Sequence, residues 1–155
     1  MIVLDGTTRA DINAEGQKTY PNECCGFLFE ETESGAEGLE VEGRKVIKKI
    51  LSAWNSQAGE EQYHRFEIKP QQMMMAEKTA IELKLDLLGF YHSHPDHPSA
   101  PSEYDRVNAL PFYSYIIVSV NKGKSDLMTS WELDGETRMF NREEIKDIEE
   151  EERGN

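Results

Sequence analysis

The sequence predicts an α/β domain in which helices and strands alternate, and three stretches carry this prediction. Gln71–Asp86 is rich in Met, Ala, Glu, Lys and Leu, with apolar residues at helical spacing, and predicts a long helix. Leu87–Tyr91 is a short aliphatic and aromatic run, which is typical of a buried strand. Tyr113–Val120 and Leu127–Leu133 predict two further strands, which the turn Asn121–Lys124 joins into a hairpin.

The amino-terminal half is predicted to add one helix and three strands. Asp5–Tyr20 has an amphipathic pattern, and Pro21 ends it. Glu30–Gly38 is rich in Glu, Ser and Gly and predicts a turn between strands. The strands are predicted by apolar or alternating runs, at Glu23–Phe29, at Glu40–Ser52 as one strand or a bent pair, and at Tyr63–Lys69.

Length and composition restrict the class of protein. The 155 residues fit a single domain at 1–140, followed by an acidic tail at 141–155 that is compatible with a helix. A net charge of −13 without a basic stripe argues against nucleic acid as a partner. No apolar run approaches the length of a membrane span, and Met1–Asp5 lacks the pattern of a signal peptide, so we expect a cytoplasmic location.

A cluster of histidines follows the central predicted strand. His92 and His94 are two residues apart, so on a strand both imidazoles lie on the same face. Pro95 ends the strand, and Ser102 and Asp105 then share one side of the first turn of a predicted helix. Two imidazoles and one carboxylate form the three-ligand set of catalytic zinc sites, which leaves the fourth position for water. The spacing therefore predicts a metal site.

Simpler interpretations exist for the same residues. Ser102-x-x-Asp105 is also a capping box at a helix start, and two histidines can simply end a partly exposed strand. Metal binding is favoured because three of the four histidines of the protein lie between positions 92 and 97. Open α/β sheets bind their ligands at the carboxyl ends of strands, where this cluster lies. His97 itself is interpreted as an exposed loop residue.

Four other features have a structural interpretation. The run Met73–Met75 is at helical spacing and is expected to pack in the core. His64 is expected to be structural or on the surface. The adjacent Cys24 and Cys25 cannot form an ordinary disulfide with each other, and Cys25 is interpreted as a small buried hydrophobic residue. Glu23, taken alone, reads as a loop residue before a strand.

The combined motif resembles the signature of the JAMM/MPN zinc metalloproteases of the small prokaryotic type. The matching residues are His92-x-His94-Pro95 followed by Ser102-x-x-Asp105, and Pro21–Gly26 resembles the upstream segment with the essential glutamate. The resemblance extends from the first helix to about Leu133. It implies a three-layer α-β-α fold with a mixed, curved sheet, which is cytidine-deaminase-like, and a Zn²⁺ cofactor.

The resemblance also implies a role for each residue of the motif. His92, His94 and Asp105 would hold the zinc, Glu23 would act as general base, and Ser102 would donate a hydrogen bond to the oxyanion. All five positions are filled, which favours an active enzyme over a pseudoenzyme. The nucleobase-deaminase signature and the HExxH motif of other zinc enzymes are absent from the sequence.

The substrate that the resemblance implies is a peptide or isopeptide bond at the carboxyl end of a ubiquitin-like or sulfur-carrier protein. The segments in which ubiquitin-cleaving relatives carry insertions are short here. Two alternatives remain open at this point. One is a non-catalytic MPN-type scaffold, and the other is a zinc hydrolase of small amides. The sequence does not predict an oligomeric state.

Overall fold

The computed structural model describes residues 1–31 and 44–148. Within these residues, one eight-stranded sheet is accompanied by three α-helices and a short 3-10 helix at Gly59–Glu61. The helices are α1 Gly6–Thr19, α2 Pro70–Leu83 and α3 Glu103–Asn108. The strands are β1 Ile2–Asp5, β2 Cys25–Glu31, β3 Lys45–Ala53, β4 Leu85–Pro95, β5 Ser114–Asn121, β6 Lys124–Leu133, β7 Phe140–Glu143 and β8 Ile145–Ile148.

The sheet is mixed and curls until its two edges approach each other. Its strand order is β7-β6-β5-β4-β2-β3-β1-β8, with β1 parallel to β3 and β8, and β4 parallel to β5. The edge strands β7 and β8 follow each other directly in the chain, which requires the edges to meet. Lys45 on β3 reaches across the curl, and its Nζ lies 3.0 Å from Oε2 of Glu143. The predicted mixed, curved sheet is confirmed.

Helices cover both faces of the sheet, and alternate residues of β2 show why. Leu28 packs in one apolar cluster with Ile12 of α1, whereas Phe27 packs in a second cluster with Ala76 and Ala80 of α2. Since successive residues of a strand point to opposite faces, the two clusters lie on opposite sides of the sheet. This arrangement confirms the three-layer prediction. Among the described residues, no helix is both long and apolar enough to cross a membrane.

The predicted strand at Tyr63–Lys69 is wrong. The segment contains turns and irregular backbone, although its residues do alternate between exposed and half-buried. Its backbone groups bond outside any strand ladder: the Glu67 amide donates to Oδ1 of Asn55 at 3.1 Å, and Nδ2 of Asn55 donates to the Arg65 carbonyl at 2.8 Å. The amide of Ser56 donates to the Glu67 carbonyl at 2.9 Å. The alternation of exposed and half-buried residues therefore arises because this segment lies on the core, and the segment pairs with no described strand.

The helix predicted at Gln71–Asp86 forms as α2, but its exposed face was misjudged. Met74 and Met75 are 69% and 59% exposed, so the prediction of core packing is wrong for these two residues, and Ile81 on the same helix is 78% exposed. The helix rests on the sheet through a narrow stripe spaced four residues apart, which comprises Gln72, Ala76 and Ala80. The helix ends at Leu83 because Lys84 adopts a left-handed conformation and β4 starts immediately afterwards.

The carboxyl-terminal part of the chain joins the sheet. Residues 141–148 are compatible with a helix in sequence, but they form the end of β7 and all of β8, and β8 pairs in parallel with β1. Residues 149–155 lie outside the described residues. So does most of the predicted turn at Glu30–Gly38 and the first part of the strand predicted at Glu40–Ser52.

Candidate metal centre

Two imidazoles lie side by side at the carboxyl end of the central strand. β4 runs between β2 and β5, and His92 is paired with Cys25 on one side and Ile117 on the other. His94 follows on the same face and is paired with Ser119 of β5. His92 and His94 are both buried. These pairings fix the backbone positions of His92 and His94, so the sheet determines the distance between the two side chains.

The ligand atoms of three predicted zinc-binding residues converge. Nε2 of His92 and Nε2 of His94 are 3.2 Å apart. Oδ2 of Asp105 lies 3.0 Å from the His94 nitrogen and 3.3 Å from the His92 nitrogen. Tetrahedral zinc with bonds of about 2.0 Å holds neighbouring ligand atoms roughly 3.3 Å apart. The triangle of ligand atoms therefore fits the geometry that zinc requires.

The hydrogen bond of His94 presents one ring nitrogen to the centre. Nδ1 of His94 lies 2.8 Å from the carbonyl oxygen of Pro98, and a carbonyl can only accept, so Nδ1 carries the hydrogen. The lone pair is then on Nε2, which faces Asp105 and His92. A backbone carbonyl on the outer nitrogen is a common way to orient a metal-binding histidine.

His92 is held by packing instead of a hydrogen bond to its outer nitrogen. The ring of Phe66 stacks on it with the ring centroids 4.5 Å apart, and its Nδ1 is buried without a hydrogen-bond partner among the described residues. Burial lowers the pKa of His92, which favours the neutral imidazole that a metal needs as a ligand. In the metal-free protein, a hydrogen on Nε2 of His92 can be donated to Asp105 or His94. Metal binding at Nε2 would release this hydrogen as a proton.

Asp105 combines the two interpretations of its sequence motif. The capping box forms: the Asp105 amide donates to Oγ of Ser102 at 3.1 Å, and the Ser102 amide donates to Oδ2 of Asp105 at 2.9 Å. The same Oδ2 atom faces the two imidazoles. Burial alone would raise the pKa of Asp105, but its interactions with the imidazole of His92, and then with that of His94, outweigh burial and hold the pKa below its usual range. The carboxylate is therefore ionised.

Glu23 comes from far upstream to the same centre. The ligand atoms of Glu23, His92 and His94 all lie within 4.8 Å of one another, and all three residues are buried. Its backbone is tied down because the Glu23 amide donates to the Gln62 carbonyl at 2.7 Å. Its Oε1 is buried and has no hydrogen-bond partner among the described residues. Burial, and then the negative charge of Asp105, raise the pKa of Glu23 to about 9.

An open cleft of about 450 Å³ leads to the centre from outside, and it is lined in part by Glu23, His64, His94, His97 and Ser102. Ser102 is exposed, and its hydroxyl can still donate while its oxygen accepts from Asp105. His97 is exposed, as expected. His64 is half-buried, with Nε2 2.9 Å from a carboxylate oxygen of Glu61, which agrees with a structural role.

The remaining expectations concern the cysteines. Cys24 and Cys25 are both buried free thiols, and burial raises the pKa of Cys24 to about 12. Cys25 therefore fits the small buried hydrophobic residue that was expected.

Sequence reasoning missed two groups that shape the site. The stacked ring of Phe66 lies in the segment wrongly predicted as a strand, and the Pro98 carbonyl is a backbone group. No sequence signal identifies either of them.

Fold and site together define a class of protein, namely a mixed α/β domain with a buried ligand set of the kind that zinc takes, beside a carboxyl oxygen that has no partner among the described residues. Residues 7–134 match the family model of prokaryotic homologues of the JAB domain. The chain belongs to this family. A search of curated proteins finds no match.

Solved structures agree with this assignment. A protein from Desulfitobacterium hafniense is 25% identical with a TM-score of 0.79, covering 97% of this chain and 94% of that one. A protein from Salinibacter ruber is 31% identical with a TM-score of 0.68, covering 96% and 92%. A structure described as a JAMM metalloprotease-like zinc site in the proteasome and signalosome is 15% identical, with a TM-score of 0.53 and coverage of 96% and 97%. The last likeness concerns the fold alone.

Proposed function

We propose that this protein is a zinc-dependent hydrolase of peptide or isopeptide bonds. The observation that carries the proposal is the triangle of ligand atoms 3.0 to 3.3 Å apart, next to a buried carboxyl oxygen of Glu23 that has no partner among the described residues. A capping box alone needs no buried imidazole pair. A structural zinc site would fill its fourth position with a further protein ligand, whereas here an open cleft leads to the centre.

In this proposal His92, His94 and Asp105 hold the ion. When bound, zinc polarises the substrate carbonyl and makes a water molecule acidic enough to attack it. Glu23 lies beside the two imidazoles, and with the positive charge of the ion favouring its ionised form, it would accept the proton and return it to the leaving amine. The oxygen of Ser102 accepts from the Asp105 amide, so the hydroxyl hydrogen remains free. It would donate to the carbonyl oxygen of the substrate, which becomes negative during the reaction.

For the substrate we propose the carboxyl end of a ubiquitin-like or sulfur-carrier protein in the cytoplasm. The family resemblance supports this class, and so does the short connection after the aspartate: α3 ends at Asn108 and β5 begins at Ser114. A flexible chain end can enter the cleft, which is open to the outside.

The test combines metal analysis with cleavage of sulfur-carrier proteins that carry a carboxyl-terminal extension. Wild type is compared with Glu23→Gln and with the matched control Glu60→Gln, whose side chain is exposed on the 3-10 helix. We expect one zinc per chain in all three proteins. Turnover should fall by about 100-fold or more in Glu23→Gln only, which is the range of a lost general base.

Two outcomes would contradict the proposal. Equal turnover in Glu23→Gln and wild type would remove Glu23 from the chemistry. Zinc binding without cleavage of any carrier protein or small amide would favour the scaffold interpretation. Cleavage of small amides alone would support a zinc hydrolase but contradict the proposed protein substrate.

A further inference from the structure

A second cavity opens directly beside the candidate metal centre and has no role in the proposed chemistry. Its volume is about 200 Å³, and His92 and Asp105 form the end that faces the centre. It lies between the sheet and the layer of α2 and α3. Most of its other walls are apolar side chains, among them Phe66, Ile68, Met73, Phe90 and Tyr115.

The two tyrosine hydroxyls in these walls already have partners. The hydroxyl of Tyr115 accepts a hydrogen bond from the Leu110 amide at 2.7 Å. The hydroxyl of Tyr104 accepts one from Nε2 of Gln57 at 2.7 Å. With these hydroxyls engaged, the walls away from the metal centre are mainly apolar, and Glu67, whose side chain is exposed, is the charged residue among them. Moving an apolar group from water into such a cavity is favourable, because that group gives up no hydrogen bonds on leaving water.

The size of the cavity limits the guest. An apolar cavity of about 150 Å³ in another protein accommodates one benzene molecule. A cavity of about 200 Å³ is therefore suited to a single side chain of leucine or phenylalanine size. It is too small for a cofactor of the kind that fills most ligand sites, which need at least about 300 Å³.

We propose that this cavity, here called the side-chain pocket, binds an apolar side chain of the substrate residue next to the bond that is cut. The inference rests on the proposed function and adds a substrate class to it. A carbonyl held at the metal centre brings the adjacent residues within one Cα–Cα step, about 3.8 Å, of the reacting atoms. Because His92 and Asp105 border both the centre and the pocket, a side chain at that position reaches the pocket directly.

Met73 offers a way to change the pocket without touching the metal ligands. It is a half-buried wall residue on α2, whereas its neighbour Met74 is 69% exposed and does not line the pocket. Met73→Ala enlarges the pocket and Met73→Phe narrows it. Met74→Ala is the matched control, since it removes the same atoms from the same helix outside the pocket.

The first experiment profiles zinc-loaded protein with peptide libraries in which the residue on either side of the scissile bond is varied. We expect wild type to prefer Leu or Phe over Lys or Asp at one of the two positions, by about tenfold or more. Met73→Ala should shift the preference towards Trp, Met73→Phe should shift it towards Ala, and Met74→Ala should match wild type. The position that shows the preference identifies the side of the bond that the pocket serves.

The second experiment does not depend on turnover. Metal-free protein with labelled methyl groups is titrated with N-acetyl-leucinamide and, separately, with N-acetyl-lysinamide. We expect saturable shifts of the Ile68 and Met73 methyl resonances with the leucine compound only, and loss of this effect in Met73→Phe.

The two experiments separate the two proposals. Ligand-dependent shifts without any cleavage would support the pocket while the proposed function fails. Cleavage with no side-chain preference on either side of the bond, together with no shifts, would overturn the pocket and leave the proposed function in place. Equal changes in Met73→Ala and Met74→Ala would also overturn it, because the effect would then belong to the helix and not to the pocket.

Discussion

Replacing Glu23 by Gln should stabilise the metal-free protein at neutral pH. Glu23 is 3% exposed, and burial followed by the charge of Asp105 raises its pKa from 4.5 to about 9. Between these values the folded protein keeps a proton that the unfolded chain releases, so the free energy of unfolding falls as the pH rises. Glutamine has nearly the same shape and does not titrate, so the variant lacks this loss.

The magnitude follows from the two pKa values. Each pH unit above 4.5 costs about 1.4 kcal/mol, which gives an upper limit of about 3 kcal/mol at pH 7. The open cleft admits water near the carboxyl group and reduces the penalty. We therefore expect Glu23→Gln to exceed wild type by about 1 to 3 kcal/mol at pH 7 and to match it near pH 4.5.

Urea unfolding in the presence of a chelator measures this difference between about pH 4.5 and pH 8. The control Glu60→Gln changes an exposed carboxylate and should show a small, nearly constant difference from wild type. A Glu23→Gln difference that does not change with pH would refute the reasoning. A variant less stable than wild type at pH 7 would do the same, because the buried carboxyl group would then be satisfied in a way that the fold does not explain.

Two further predictions concern packing around the site. Phe66→Ala removes the ring stacked on His92 at 4.5 Å, so zinc affinity measured by chelator competition should fall about tenfold, with Phe66→Leu closer to wild type. Gly26→Ala would put a Cβ atom 2.2 Å from the buried ring of Tyr91 and should destabilise the protein by about 1 to 3 kcal/mol in urea unfolding. Gly6→Ala meets nothing within 4 Å and should be nearly neutral; an equal loss in both variants would refute the packing argument.

Much of the candidate site could be predicted because local rules place its residues. Period-two geometry puts His92 and His94 on one face of a strand whatever the rest of the fold does. The spacing of Ser102 and Asp105 fixes a helix start in the same way. The approach of Glu23 depends on the pairing of β2 with β4, which no local rule provides. Its position was accessible only through the family resemblance.

The errors have a common physical cause. Tyr63–Lys69 has the alternation of a strand, but its backbone bonds go to Asn55 and Ser56, so tertiary contacts replaced a ladder. The carboxyl-terminal strand β8 forms because the sheet curls until β1 is available to it. In both places the secondary structure depends on which distant segment of the chain packs beside it, and a single sequence carries little information about such contacts.

The metal centre and the secondary structure around it are built from the same hydrogen bonds, which has a consequence for zinc binding. Pairing on both sides of β4 holds His92, the Pro98 carbonyl orients His94, and the Ser102 amide holds Asp105. Together with the Phe66 ring that packs on His92, these backbone groups fix each ligand without depending on the other two ligands. A site ordered in this way loses little conformational entropy when it binds an ion, so the binding energy is available for affinity and for holding the reactive geometry. The capping box at Asp105 is thus part of the predicted metal site, and the structural and functional interpretations of that motif describe the same two hydrogen bonds.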